Sequence, residues 1–193
     1  MKVLAINGSA RKKGNTYILL KTVLDELEKN GIETEIVSFA AQVIKPCRAC
    51  FTCAGKTCCT FDDDIFHEVF EKMKEADGII LGSPVYSANI SSTMQAFLER
   101  AAVVADMNSG MLMHKVGASV AVCRRGGALN TIDAMNHFFL NHEMFVVGST
   151  YWNIGYGRLA GEVSHDVEAI ENMKNIGQNM AYLLKEINKQ EDI

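Results

Sequence analysis

Lys2-Val3-Leu4-Ala5-Ile6-Asn7-Gly8-Ser9-Ala10-Arg11-Lys12-Lys13-Gly14-Asn15-Thr16-Tyr17-Ile18-Leu19-Leu20 runs from an apolar stretch through a glycine-bounded polar turn into a helical pattern. An apolar run of strand length suits a parallel strand covered on both faces, and the turn that feeds a helix makes the stretch half of a βα unit. The turn is also an anion cradle by composition. Glycines let backbone N–H groups face inward, Ser9 and Thr16 carry hydroxyls, Arg11 brings charge, and the helix N-terminus adds its dipole. Ser9, Arg11, Gly14, Asn15 and Thr16 are therefore the expected site of a small terminal phosphate. Five residues separate Gly8 from Gly14 and Asn15 stands where a Walker loop has lysine, so this is not that loop. It is not G-x-G-x-x-G either, which disfavours a dinucleotide at this turn. The plainer alternative is a polar turn in which Asn15 or Thr16 only caps the helix.

The same alternation recurs along the chain. Apolar, β-branched runs at 2–7, 32–38, 77–83, 115–123 and 144–149 read as strands, and 16–30, 64–76, 91–106, 128–142 and 166–189 read as helices. Gly31 suits a helix C-terminus, and Asp62, Ser91 and His165 or Asp166 suit helix starts. Repeated βα units predict an α/β fold: a doubly wound five-stranded parallel sheet, order 2-1-3-4-5, with helices on both faces. Ligands of such sheets sit beyond the carboxyl ends of the strands at the topological switch point. The loops 7–16, 83–90 and 124–128 fall there, with a cysteine-rich loop at 46–60 on the same edge.

Two of these loops suit a flat ring. Gly82-Ser83-Pro84-Val85-Tyr86-Ser87-Ala88-Asn89-Ile90 offers a stiff turn: Tyr86 to stack or pack beside a heterocycle, Pro84 and Val85 beneath it, and the N–H groups of Ala88 and Asn89 for its edge. Cys123-Arg124-Arg125-Gly126-Gly127-Ala128 adds close backbone approach at Gly126 and Gly127. Arg124 and Arg125 bring positive charge that favours an anionic reduced flavin, grips the 2′-phosphate of NADPH, or pairs with surface carboxylates. Cys123 reads as a buried strand residue.

Five of the six cysteines lie within residues 47–59. Cys47-x2-Cys50-x2-Cys53 followed by Cys58 or Cys59 delivers four thiolates from one loop, as iron–sulfur sites require. Zinc is the chemical alternative, although its knuckles are usually paired across a longer insert, and unligated thiols are the other. Asp62, Asp63 and Asp64 read as helix-opening acids. Met107, Met111 and Met113 read as a flexible subunit contact, and Tyr151-Trp152-Asn153 as core or as the wall of a neighbour's pocket. His137, His142 and His165 have no metal-demanding spacing.

At 193 residues, with 48% hydrophobic and 22% charged residues, the chain reads as one globular domain spanning 1–193 without a linker. A net charge of -4 and a pI near 5.7 give no general basis for nucleic-acid binding. No apolar run reaches the length of a membrane span, and the opening run is too short for a signal peptide, so the expectation is a cytoplasmic protein with no membrane partner. Such a chain needs no disulfide staples, which directs the cysteines to thiolate or metal chemistry.

Taken with these motifs, the chain resembles the flavodoxin-like NAD(P)H-dependent FMN reductase superfamily over nearly its whole length, and specifically the iron-sulfur flavoproteins. Gly8-Ser9-x-Arg11 to Asn15-Thr16 is similar to that family's FMN phosphate loop, Ser83-Pro84-Val85-Tyr86 to its isoalloxazine loop, and Arg125-Gly126-Gly127 to its second ring-side loop. The resemblance implies FMN as cofactor, NAD(P)H as co-substrate, assembly as a homodimer or homotetramer, and a [4Fe-4S] cluster on Cys47, Cys50, Cys53 and Cys59, the last fitting better than Cys58. It implies an FMN-dependent oxidoreductase passing electrons from NAD(P)H or ferredoxin to a small acceptor such as a quinone, a flavin or oxygen. No residue is then needed as acid, base or nucleophile, because the flavin carries the chemistry. A noncatalytic flavodoxin-type carrier and a metal-binding redox sensor are the alternatives.

Overall fold

A computed structural model describes residues 1–189. Its strands are β1 (Lys2–Asn7), β2 (Glu33–Ser38), β3 (Gly78–Pro84), β4 (Val116–Cys123), β5 (Phe145–Val146) and β6 (Ile154–Tyr156). Its helices are α1 (Asn15–Lys29), α2 (Phe66–Glu75), α3 (Ser92–Asp106), α4 (Ala128–Asn141) and α5 (Val167–Asn188). All strands pair in parallel in the order β2-β1-β3-β4-β5, and the order reverses beside β1, as expected.

Residue alternation explains both helical layers. On β1, Val3 and Ala5 join Ile80 of β3 and Val116, Ala118, Val120 and Val122 of β4 against α1 and α5. Leu4, Ile6, Ile79 and Leu81 face the other way, onto Phe66 and Phe70 of α2, Met94 and Phe97 of α3, and Met135 and Phe139 of α4. Both faces of the central strands are buried, so they read in the sequence as continuous apolar runs. Helix ends follow local chemistry: the Ser91 side chain accepts from the Met94 N–H, and that of Asp166 from the Ala169 N–H.

Two expectations are corrected. The strand expected at 144–149 is paired only at Phe145–Val146, where it meets Val116 and Gly117. The chain then loops out and returns as β6, which lies beside Ala121, Val122 and Cys123 farther along β4. Gly148, Ser149 and Thr150 break the apolar alternation, and the excursion is tied down instead by Asn179 to the Gly148 carbonyl and by Thr150 to Asn172. Helix α2 begins at Phe66 rather than 64, because Asp64 accepts from the Phe66 N–H and stays outside the helix. Among the described residues no helix is long and apolar enough to cross a membrane.

Candidate functional site

The phosphate-type loop is held from beneath. Asn7, fully buried at the end of β1, accepts from the Ser9 N–H (3.1 Å) and donates to the Lys12 carbonyl (3.3 Å). Ser91 donates to the Gly8 carbonyl (2.7 Å), while the Ser83 hydroxyl accepts from the Ser91 N–H (3.0 Å). One network thus fixes the loop after β1 to the loop after β3. The N-cap of α1 is Gly14, and no side chain caps it, so the first-turn N–H groups remain available to an outside acceptor. The capping alternative for Asn15 does not hold. Asn15 instead donates to the Leu159 carbonyl (2.8 Å) and accepts from the Gly161 N–H (2.7 Å).

That bond places a segment the sequence did not single out. Because β6 pairs with the end of β4, Gly157 and Arg158 reach the phosphate loop, where Arg11 donates to the Arg158 carbonyl (3.2 Å). A Cβ on Gly157 would stand 2.6 Å from the Asn15 amide, so only glycine allows the approach. The result is a cleft of about 170 Å³ lined by Ser9, Arg11, Asn15, Thr16, Pro84, Val85, Tyr86, Arg124 and Arg158, among others. Three arginines and a helix N-terminus make it electropositive.

Val85 and Arg124 also line a second, exposed hollow of about 440 Å³, bounded by Ser87, Ala88, Cys123, Arg125 and Gly126. Tyr86 and Asn89 exchange backbone hydrogen bonds (2.9 and 3.0 Å) across Ser87 and Ala88, whose φ values of 49° and 60° make a tight primed hairpin turn. The Asn89 N–H is therefore spent on Tyr86, and the Asn89 side chain accepts from the Ile90 N–H; Ala88 lines the hollow and Asn89 does not. Tyr86 is about half exposed. Gly127, at φ 87°, lies against this hairpin, where a Cβ would stand 2.7 Å from Ala88 Cα. An electropositive cleft edged by Tyr86, adjoining a shallow hollow, fits the two ends of FMN.

The loop 46–60 has no regular secondary structure and packs over α3. Cys47, Cys50, Cys53 and Cys59 all line one pocket there, and Cys58 does not; Cys58 is half-buried against the core beside α2. The Cys47 sulfur accepts from the Ala49 N–H (3.3 Å), Cys59 from the Phe61 N–H (3.5 Å), and Cys50 lies 3.2 Å from the Thr52 hydroxyl. Ala49 and Phe51 both have left-handed φ, 50° and 54°, the turn geometry that aims backbone N–H groups at anions. The Thr52 hydroxyl holds the Cys50 thiol below its ordinary pKa. Burial pushes Cys53 and Cys58 up, and the neighbouring Cys59, Cys47 and Cys50 raise Cys53 further. Lys45, Arg48 and Arg100 also line the pocket against one carboxylate, Asp63, so its charge suits four thiolates.

Among the described residues no three His, Cys, Asp or Glu side chains gather as a ready-made metal site. The four cysteines rim a pocket with free volume of about 20 Å³. Donor set and charge fit an iron–sulfur cluster. Cys50 and Phe51 are exposed, whereas Cys53 is buried in the core.

The aspartates opening α2 have duties beyond capping. Asp63 pairs with Lys45, Asp62 lies 3.5 Å from His67, and Asp64 forms a buried ion pair with Arg100. Tyr151 and Trp152 pack together with centroids 4.8 Å apart and are both exposed, so they are surface rather than core, while Asn153 is buried.

Residues 1–158 match the NADPH-dependent FMN reductase family. The chain is 39% identical to an iron-sulfur flavoprotein of Methanocaldococcus jannaschii over 98% of this chain and all of that one, and 31% identical to an iron-sulfur flavoprotein of Methanosarcina thermophila over the full length of both. In fold it is similar to RosB, solved with 8-demethyl-8-formylriboflavin-5′-phosphate (TM-score 0.78, 18% identity, 98% of this chain and 81% of that one). A WrbA-like flavodoxin of Agrobacterium tumefaciens gives a TM-score of 0.67 at 16% identity, over 96% of this chain and 97% of that one. The chain therefore belongs to the flavodoxin-like NADPH-dependent FMN reductase family, in its iron-sulfur flavoprotein branch.

Proposed function

We propose that this protein is an oxidoreductase that binds FMN in the cleft between the loops after β1, β3 and β4, takes electrons from NAD(P)H or from a ferredoxin, and delivers them to a small acceptor such as a quinone, a flavin or oxygen. The cysteine loop holds a [4Fe-4S] cluster on Cys47, Cys50, Cys53 and Cys59. Bound FMN supplies hydride acceptance and single-electron transfer, and the cluster supplies single-electron transfer.

The observation that carries the reading is that the two clefts adjoin, sharing Val85 and Arg124 in their walls. Ser9, Thr16 and the uncapped first turn of α1 bind the phosphate, with Arg11 and Arg158 closing over it. Tyr86 and the hairpin at Ser87–Ala88 shape the ring edge, and Arg124 and Arg125 favour negative charge developing on the ring. The open hollow leaves one side of the ring available to a second molecule. The names of the relatives support the cluster, as does the shared pocket of the four cysteines.

Steady-state oxidation of NADH and NADPH by anaerobically purified protein, with quinone, ferric and flavin acceptors, tests the reductase. Turnover with at least one acceptor is expected. No turnover alongside normal reduction by ferredoxin sinks it in favour of a noncatalytic electron carrier.

A further inference from the structure

Arg158 reaches the phosphate end of the cleft from the loop after β6, past the last residue that pairs with β4. Its own backbone holds it there. The Arg158 N–H donates to Glu162 Oε2 (2.6 Å), and the Leu159 N–H donates to the same oxygen (2.8 Å). On the other side, the Arg158 carbonyl accepts from Arg11 Nη1 (3.2 Å). Arg158 is thus gripped at both its N–H and its carbonyl, and the second grip sets the place of Arg11 as well. The Glu162 N–H returns a bond to the Leu159 carbonyl (3.3 Å), which also accepts from Asn15 Nδ2 (2.8 Å). The Glu162 side chain is exposed, yet the next residue, Val163, is fully buried in the core shared with α1 and α5, so the carboxylate stands on an anchored backbone.

An acid this close to an electropositive cleft works against an anionic ligand by charge alone. Its geometry works the other way. Glu162 does not line the cleft, and its oxygen is spent on the N–H groups of the loop that brings Arg158 there. Those N–H groups, that of Leu159 foremost, hold the Glu162 carboxyl below its ordinary pKa, so it accepts as the carboxylate. We propose that Glu162 is a positioning residue for the phosphate end of the flavin site, fixing the loop that carries Arg158 and, through the Arg158 carbonyl, the side chain of Arg11. The proposal rests on the reading above that FMN occupies the cleft. Glu162 itself stands beyond residues 1–158, the stretch that matches the family.

Positioning and charge predict opposite outcomes when Glu162 is changed, and isothermal titration of flavin-free protein with FMN and with riboflavin separates them. Glu162→Gln keeps an oxygen that can accept both N–H groups and drops the charge. Glu162→Asp keeps the charge and, one methylene shorter, draws the oxygen back, while Glu162→Ala removes both. FMN affinity should fall about 3- to 10-fold in Glu162→Ala and Glu162→Asp, the worth of a hydrogen bond, and be largely kept in Glu162→Gln, with riboflavin affinity unchanged in all three. In an Arg158→Gln background, Glu162→Ala should cost less FMN affinity than it does alone, because the two residues act through one contact. Unchanged or tighter FMN binding in Glu162→Ala, or equal losses for FMN and riboflavin, overturns the proposal; if that variant does not fold, unchanged FMN affinity in Glu162→Asp does so. Wild-type protein that binds FMN no tighter than riboflavin removes the phosphate site itself, a failure of the reading above that shows before any variant is made.

Discussion

Replacing Gly127 by alanine should damage flavin binding out of proportion to the one methyl group added. Gly127 has φ 87°, a left-handed conformation that costs a non-glycine residue about 1–2 kcal/mol. The new Cβ would also stand 2.7 Å from Ala88 Cα and 3.1 Å from Val85 Cγ1. The first of these neighbours is backbone, in a hairpin turn already confined to left-handed φ at Ser87 and Ala88, so no rotamer change relieves it. Overpacking of this kind costs about 1–3 kcal/mol, for a total of about 2–5 kcal/mol. Shifting the hairpin relieves part of this and moves Tyr86 and Ala88 away from the ring. If about half the cost appears in binding, FMN affinity falls roughly 5- to 60-fold at 1.4 kcal/mol per decade. Gly148→Ala is the matched control, because its Cβ would meet nothing within 4 Å, its φ is not left-handed and it lines neither cleft. Quenching of flavin fluorescence on titration gives the affinity, and circular dichroism the unfolding temperature. FMN affinity and unfolding temperature in Gly127→Ala equal to those of Gly148→Ala would refute the reasoning.

Arg158→Gln should weaken FMN by about tenfold or more, the worth of a charge-assisted hydrogen bond, and leave riboflavin nearly unaffected; equal losses for both ligands, by isothermal titration, would remove Arg158 from the phosphate site. Cys59→Ser should lose bound iron after anaerobic reconstitution while Cys58→Ser keeps it, because only Cys59 shares the pocket with Cys47, Cys50 and Cys53; the opposite result in an iron assay reverses the ligand assignment. The Thr52 hydroxyl favours the charged form of Cys50 and lowers its pKa, so Thr52→Val should shift alkylation of Cys50 in iron-free protein to higher pH. In the unmodified iron-free protein, Cys50 should alkylate at lower pH than Cys53 or Cys58, which burial pushes up; mass spectrometry of the labelled peptides reads both.

The central strands and the glycine-bounded turn between β1 and α1 were legible because both are local. A parallel strand buried on two faces must be apolar throughout, and an anion turn must concentrate glycine, hydroxyl and arginine between strand and helix. Arg158 was not legible: its place depends on where β4 and β6 pair, and a polar loop after a broken strand carries no local mark of that register. The dual role of Asn15 was hidden for the same reason, since its partners Leu159 and Gly161 are 144 or more residues away. Arg100 looks like any helix-surface arginine until the cysteine loop folds over α3 and buries it. Adjacent Cys58 and Cys59 differ by one residue in spacing, which the sequence alone does not resolve, and their different surroundings appear only once α2 is packed.

The central claim is that one chain carries both a flavin site and a cluster site, and cofactor content after anaerobic purification tests it most directly. With FMN, iron, acid-labile sulfide and zinc measured on the same sample, the account predicts about one FMN, about four iron and about four sulfide per chain. FMN with zinc, or FMN without iron and sulfide, would contradict the cluster, and protein that neither contains nor takes up FMN would contradict the account as a whole.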